Sequence, residues 1–184
     1  MVPKSTGEVA ILTGPPGAGK TTIARMAAEG SKSPAVHLHA DDFWHFIKSG
    51  WIAPYLPESH AQNATVIEAV AQAACSYARG GYLVMVDGII GPWFLGPFRT
   101  YAHESNLRLC YMILRPNLAT ALRRAQTRGG QALTETGPIE SLHGQFCDLG
   151  PLERHVIDTS TQNAAATLQM VRDTMADDRF VLSA

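Results

Sequence analysis

The feature that most constrains this chain is the stretch GPPGAGKTT at residues 14–22, which directly follows the apolar run of residues 9–12. Glycine and proline both weaken regular structure, so a stretch this rich in them predicts a loop and not a core element. A helical run from Thr22 to Glu29 comes next and stops at Gly30. The order of strand, glycine-rich loop and helix predicts a β–α unit, and a plain surface turn would not need the Lys-Thr-Thr ending.

The loop has the spacing G-x-x-x-x-G-K-[ST] of the P-loop pattern, with Gly14, Gly19, Lys20 and Thr21 in the fixed positions. In such a loop the backbone N–H groups cradle phosphate oxygens, and the positive end of the next helix faces the same phosphates. The sequence therefore predicts a bound nucleoside triphosphate, with Lys20 at the β- and γ-phosphates and Thr21 holding Mg²⁺. The candidate nucleotide-binding residues here are Gly14, Pro15, Pro16, Gly17, Ala18, Gly19, Lys20, Thr21 and Thr22.

Composition narrows the class of protein. A chain of 184 residues predicts one domain over residues 1–184, and the net charge of −1 gives no electrostatic case for nucleic acid or an anionic membrane. The cysteines Cys75, Cys110 and Cys147 are widely spaced and odd in number, which favours small core residues in a reducing compartment. The apolar run near the N-terminus is too short for a signal peptide, and no segment approaches the ~20 apolar residues of a membrane span. A cytoplasmic location is predicted.

Beyond the loop, short apolar runs alternate with longer helical ones. Strands are predicted at residues 35–39, 82–86, 107–114 and 155–158, and helices at residues 59–79, 117–128 and 163–176. The predicted apolar stripes are Val66, Val70, Ala73 and Tyr77 in one helix and Leu118, Leu122 and Ala125 in the next. Five strands alternating with helices predict an α/β fold, a five-stranded parallel sheet with helices on both faces. Ligands of such sheets sit at the carboxyl ends of the strands, so functional residues are expected there.

Two carboxylates, Asp41 and Asp42, come directly after the second predicted strand. A hydroxyl group that accepts a phosphoryl group needs a carboxylate within hydrogen-bond reach to take its proton. Aspartate is also a favoured helix N-cap, so one of the two can cap a helix beginning near Phe43 while the other acts as the base.

Asp87 ends another buried run, in the sequence VMVDG. In a P-loop protein an aspartate at this place is the expected Mg²⁺ partner, although Asp-Gly is also a common turn pair. The predicted metal ligands are Thr21 and Asp87.

Two arginines, Arg124 and Arg128, are four residues apart and share a helix face. A kinase needs cations that fold over the polyphosphate, and the glycine-rich stretch that follows is typical of a mobile lid at about residues 124–150. A solvated helix face is the alternative for this pair.

Aromatic residues cluster after two of the strands: Phe43, Trp44, Phe46, Trp51 and Tyr55 in one segment, and Trp93, Phe94, Phe98 and Tyr101 in the other. Ordinary packing accounts for many of them, and any that are exposed favour a flat or apolar acceptor. His37 and His39 lie on one face of the second strand, and we interpret them as packing or hydrogen-bonded residues.

The ordered motifs GPPGAGKT, HADDF, VMVDG, LRPNLATALRRAQTRGG and VIDTS resemble the small P-loop kinases over roughly residues 8–176. The nearest groups are the chloramphenicol phosphotransferases and zeta-toxin-like ATPases, with the shikimate, gluconate and nucleoside monophosphate kinases more distant. The resemblance implies that Asp41 is the base and that Arg124 and Arg128, with Arg123 as an alternative, are lid arginines. It also implies that Asp158 and Thr159 lie near the adenine. Residues 131–153 match no acceptor motif, which leaves the acceptor open.

The resulting hypothesis is a kinase that uses ATP and Mg²⁺ to phosphorylate a hydroxyl group of a small molecule, with neither nucleic acid nor membrane as a partner. The oligomeric state stays open. A cytidylate-like nucleoside monophosphate kinase is the rival, but it needs cations for the acceptor phosphate. Between Asp41 and Phe98 the basic residues are Lys48 and Arg79, although Arg99 and the lid could compensate. An ATP-driven switch protein is the other alternative. A guanine-specific switch is excluded, because it reads the base with an N-K-x-D motif and this chain has no lysine after Lys48.

Overall fold

The computed structural model describes residues 7–127 and 134–182. Their centre is a five-stranded sheet in which every neighbouring pair is parallel, in the order β2-β3-β1-β4-β5. The strands are β1 (Glu8–Thr13), β2 (Ala35–His39), β3 (Leu83–Asp87), β4 (Arg108–Leu114) and β5 (Val156–Ile157). The α/β fold with a parallel sheet, predicted from the sequence, is confirmed, and the predicted strand bounds agree within two residues at each end.

Helices cover both faces of the sheet because its strands are apolar on both sides. Val9 and Ile11 of β1 pack against the helices on one face, and Ala10 and Leu12 pack against those on the other. The first face carries α3 (His60–Arg79) and α4 (Leu95–Glu104); the second carries α1 (Lys20–Glu29) and α7 (Ala164–Met175). The remaining helices are α2 (Ala40–His45), α5 (Leu118–Gln126) and α6 (Thr136–Gln145). In the two described ranges, no helix has the length and apolar character needed to cross a membrane.

The apolar stripe predicted for α3 is partly wrong. Val66 and Val70 are buried, but Ala73 is only half-buried and Tyr77 is exposed, with its ring edge-on to Tyr82. The buried face of α3 continues through small residues, namely Ala71, Ala74, Cys75 and Ala78. Small side chains let the helix lie close to the sheet, and this close approach moves the buried stripe away from the larger tyrosine.

The apolar stripe predicted for α5 is also partly wrong, because the buried face lies further around the helix than predicted. Ala125 is buried as expected, but Leu118 and Leu122 are only half-buried, and Ala121 is buried in their place. Ala121 faces the glycine-rich loop so closely that a Cβ on Gly17 would lie 2.1 Å from the Ala121 carbonyl oxygen. A side chain at position 17 would therefore push the loop away from α5.

The segment predicted as a lid, residues 124–150, contains the end of α5 and all of α6. Ile139 and Phe146 are buried, and Phe146 joins the core on the α3 side of the sheet. Residues 128–133, which include Arg128, lie outside the described residues. The lid role of this segment stays a prediction.

Candidate active site

The glycine-rich loop turns tightly at the carboxyl end of β1. Gly14 and Gly17 have φ angles of 138° and 78°, in a region that side-chain-bearing residues rarely adopt. A Cβ on Gly14 would lie 2.0 Å from the Leu114 carbonyl oxygen, and the corresponding atom on Gly17 would meet α5. The two glycines therefore let the loop close against the end of β4 on one side and α5 on the other.

The loop leads directly into α1, whose N-cap is Gly19. Because Gly19 has no side chain, it leaves the first amides of α1 uncapped at the loop, where they can bind an anion. Lys20 is buried, and its Nζ donates a hydrogen bond of 3.0 Å to the Pro15 carbonyl, so the ammonium lies along the loop. The loop therefore spans residues 14–19, Lys20 and Thr21 begin α1, and Thr22 is exposed on the same first turn of the helix.

Thr21 lies against Asp87, the last residue of β3. The Thr21 hydroxyl donates to Asp87 Oδ2 at 2.6 Å. Asp87 is fully buried, which by itself raises the pKa of the carboxyl. Hydrogen bonds from His37, His39 and Thr21 outweigh the burial and hold the pKa of Asp87 well below its usual range. A buried negative charge therefore stands beside the first turn of α1.

The two histidines of β2 contact this carboxylate. His37 Nε2 lies 2.6 Å from Asp87 Oδ1, and His39 Nδ1 lies 3.2 Å from each carboxylate oxygen. Residues two apart share a strand face, and the parallel register pairs His39 with Asp87, so both imidazoles reach the same group. The hydrogen bond with Asp87 raises the pKa of His39, against an opposing effect of burial. The hydrogen-bonded interpretation of these histidines is confirmed, but the sequence did not identify Asp87 as their partner.

Mg²⁺ fits the donor set that the sequence predicted for it. Magnesium prefers oxygen ligands and takes only one or two from the protein, with water and phosphate oxygens completing its shell. The Thr21 hydroxyl and the Asp87 carboxylate supply two such oxygens 2.6 Å apart. Across residues 7–127 and 134–182, no cluster of three or more His, Cys, Asp or Glu residues is spaced to hold a metal by itself, and magnesium bound with a nucleotide does not need one.

Asp41 and Asp42 lie in the first turn of α2, and both are exposed. The N-cap of α2 is His39, so the interpretation of either aspartate as the cap is wrong. The side chain of Asp41 is 57% exposed, and its Oδ2 lies 3.7 Å from His39 Nε2. His39 thus stands between the buried carboxylate of Asp87 and the solvent-facing carboxylate of Asp41.

Arg124 is held at the loop that follows β5. Its Nη2 donates to the carbonyls of Thr159 and Gln162 at 3.0 and 2.9 Å. The adjacent Asp158 accepts from the Ser160 backbone at 2.8 Å and from its hydroxyl at 2.5 Å, and these bonds lower the pKa of Asp158. Thr159 is fully buried, and among the described residues its hydroxyl has no hydrogen-bond partner. Arg123 is exposed on α5.

The aromatic clusters divide between core and surface. Trp44 and Phe98 are buried, Phe43, Phe94 and Tyr101 are half-buried, and the exposed members are Phe46, Trp51, Tyr55 and Trp93.

A comparison with models of protein families identifies the family of this chain. The family described as AAA domain has a model that matches residues 9–144. The chain belongs to this family. The AAA-domain match covers the P-loop, Asp41, Asp87 and Arg124, and the predicted membership of the P-loop kinases is confirmed. A search of curated protein sequences finds no match.

The AAA-domain chain has a kinase-like P-loop fold, which it shares with several solved structures. It is similar to the tunicamycin resistance protein of Deinococcus radiodurans, with a TM-score of 0.67, 17% identity and coverage of 97% of this chain and 99% of that one. It is similar to the APS kinase of Mycobacterium tuberculosis, with a TM-score of 0.67, 19% identity and coverage of 94% and 99%. For a gluconokinase of Sinorhizobium meliloti 1021 the TM-score is 0.64, the identity 16% and the coverage 93% and 92%.

Proposed function

We propose that this AAA-domain protein is an ATP-dependent kinase that transfers the γ-phosphate to a hydroxyl group of a small molecule. The observation that carries the proposal is a row of contacts from Thr21 through Asp87 and His39 to Asp41, with distances of 2.6, 3.2 and 3.7 Å. The row begins beside the phosphate loop and ends at an exposed carboxylate on the same edge of the sheet. A carboxylate there can accept the proton of an entering hydroxyl group.

In the proposed reaction the acceptor oxygen forms a bond to the γ-phosphorus, and the bond from that phosphorus to the bridging oxygen of ADP breaks. Asp41 takes the proton of the hydroxyl group. Lys20 and the first amides of α1 stabilise the negative charge that spreads over the phosphate oxygens. Mg²⁺, when it is bound by Thr21 and Asp87, neutralises part of the same charge.

The remaining predicted site residues belong to the nucleotide side of the proposal. Arg124 and Asp158 both contact residues of the loop after β5, and the adenine-side role of that loop is part of the proposal. Arg128 is proposed as the lid cation that closes over the phosphates.

The distribution of cations favours this proposal over a nucleoside monophosphate kinase. Arg79 ends α3 near the amino end of β3 and donates to Ser105, so it lies at the edge of the sheet opposite the phosphate loop. Lys48 is then the basic residue left in the segment between β2 and α3. APS kinase and gluconokinase are kinases by name and share the fold, which supports phosphoryl transfer without indicating the acceptor.

A coupled ADP-release assay with ATP and Mg²⁺ tests the proposal. Hydroxyl compounds should accelerate ADP release, and Lys20→Ala should lower that rate by about 10²–10³, the usual loss for a group that stabilises transition-state charge. Lys32→Ala is the matched control, because Lys32 is exposed in the loop before β2. Normal turnover by Lys20→Ala would overturn the phosphate-loop assignment, and acceleration by a protein partner alone would favour the switch.

A further inference from the structure

The exposed aromatic side chains point to the chemistry of the acceptor. The described residues carry seven large exposed hydrophobic side chains: Phe46, Trp51, Tyr55, Leu56, Tyr77, Tyr82 and Trp93. Tyr77 and Tyr82 pack against each other near the amino end of β3. The other five lie on the two segments that follow β2 and β3, at the carboxyl edge of the sheet. Exposed apolar side chains concentrated in one region mark a binding surface.

The segment after β2 is hydrogen-bonded to two polar side chains at the start of α3, the buried Asn63 and the half-buried Gln62. Asn63 accepts a hydrogen bond of 2.8 Å from Trp44 Nε1 and donates to the Pro54 carbonyl and to Ser59 Oγ, both at 2.8 Å. Gln62 bonds to the backbone N–H and carbonyl of Ile52, at 2.8 and 2.7 Å. These bonds hold residues 52–59 on the first turns of α3, so Tyr55 lies on a backbone that is hydrogen-bonded on both sides of it, and Trp51 directly precedes that stretch. Such pre-ordering reduces the entropy lost when a ligand binds.

The charges on the described residues of this surface disfavour an anionic ligand. Asp41, Asp42 and Glu58 are exposed on the segment after β2, against the single basic residue Lys48. Lys48 Nζ donates to the His45 carbonyl at 2.8 Å. Arg99, on α4, lines a separate cavity of about 180 Å³ with Leu109 and Leu182. A phosphate or carboxylate on the acceptor would meet like charge at Asp41 and Asp42, and the described residues of the segment after β2 offer no pair of Lys or Arg side chains to bind it.

We infer that the acceptor is an alcohol with a flat apolar face and no anionic group. The inference rests on the proposed kinase function and specifies its substrate class. Aromatic side chains bind ring faces by stacking and edge-on contacts, and they leave the hydroxyl group free to reach Asp41. An amine on the ring is compatible with this surface, because the nearby carboxylates attract it and the aromatic faces tolerate it.

The test measures two properties of the purified protein, binding of ATP by calorimetry and ADP release with four groups of compounds. The groups are uncharged benzylic and naphthyl alcohols, their amine-bearing analogues, their carboxylate- or phosphate-bearing analogues, and polyols without an apolar ring. We expect turnover with the first two groups and kcat/KM at least about tenfold lower when an anionic group is added. Turnover with only anionic compounds or only polyols would overturn the acceptor class and leave the kinase proposal intact. Binding of ATP with no acceleration by any compound would overturn both.

A matched pair of tyrosines tests the surface itself. Tyr55→Ala should raise the acceptor KM about tenfold or more and leave ATP affinity and melting temperature unchanged. Tyr77→Ala is the control, since Tyr77 is exposed to a similar extent, 46% against 56%, but lies at the other end of α3. Equal acceptor KM values for the two variants would contradict the inference. A change in oligomeric mass with Tyr55→Ala, at constant acceptor KM, would assign the surface to contact with another chain and overturn it as well.

Discussion

The Nδ1 atom of His39 lies 3.2 Å from both carboxylate oxygens of Asp87, and the opposite ring nitrogen faces Asp41. This one imidazole therefore touches the carboxylate beside the phosphate loop and the carboxylate proposed as the base. His39 is a positioning residue in this account, because it orients two groups that are proposed to act and need not contact the substrate itself.

Replacing His39 should separate its effect on the reaction from its effect on nucleotide binding. We expect His39→Asn to lower kcat about tenfold while the KM for ATP changes less than about twofold, since the P-loop contacts remain. Steady-state kinetics measure both values. His103→Asn, on the exposed side of α4, is the control. Parallel losses in kcat and ATP affinity would mean that His39 serves only to hold the loop and β3 together.

The two aspartates of α2 provide the test of the base. Asp41→Asn should reduce phosphoryl transfer by about 10²–10⁴, the usual contribution of general acid–base catalysis, with nearly unchanged ATP affinity. Asp42→Asn should retain most activity, because Asp41 is the carboxylate that faces His39. Rates with saturating ATP and acceptor measure the difference. The reverse pattern, with Asp41→Asn silent, would move the base to Asp42.

Arg124 should act mainly on the nucleotide. Its side chain bonds to the carbonyls of Thr159 and Gln162, so its removal frees the loop after β5. We expect Arg124→Ala to raise the KM for ATP about tenfold, with a smaller effect on the acceptor KM. Arg25→Ala is the control, as Arg25 is an exposed helical arginine on α1 that pairs only with Glu29 among the ion pairs of the described residues. A fall in kcat of about 10² at constant ATP KM would instead assign Arg124 to the transferring phosphate.

Much of the fold could be predicted because it depends on local patterns. The glycines, lysine and threonine of the P-loop stand at fixed spacing, and apolar runs mark each strand. The contacts of the histidines could not be predicted, because they depend on β2 lying next to β3, and strand order is a property of the whole sheet. Likewise, the spacing of apolar residues in α3 and α5 did not predict that alanines would form much of the buried face of each helix, while larger apolar side chains such as Leu122 and Tyr77 stay half-buried or exposed.

A salt bridge beside the loop that follows β5 predicts a dependence of stability on pH. Arg115 pairs with both carboxylate oxygens of Glu153 at 2.8 Å, and this lowers the pKa of Glu153 from an ordinary value of about 4.5. A lowered folded-state pKa means that the stabilisation is present above about pH 4.5 and is lost as the pH falls through the folded-state value. The side chains of Arg115 and Glu153 are 24% and 41% exposed, so solvent screening limits the contribution of the pair to about 0.5 kcal/mol.

Urea denaturation of the wild type and of Glu153→Gln checks this dependence. The difference in unfolding free energy should be present at pH 7 and shrink as the pH falls below about 4.5. Glu140→Gln, at an exposed position of α6, should show no comparable change with pH. A difference that grows on acidification would contradict the assigned sign.

In the proposed reaction the γ-phosphate moves to a hydroxyl group of the acceptor. The product that carries this phosphate can be identified directly. The wild-type protein is incubated with γ-labelled ATP, Mg²⁺ and the acceptor that best accelerates ADP release, and the labelled products are separated and identified by mass spectrometry. We expect a phosphate monoester of the acceptor in a one-to-one ratio with ADP, and almost none with Lys20→Ala. Label found only as inorganic phosphate, with the acceptor unchanged, would contradict it and leave an ATPase.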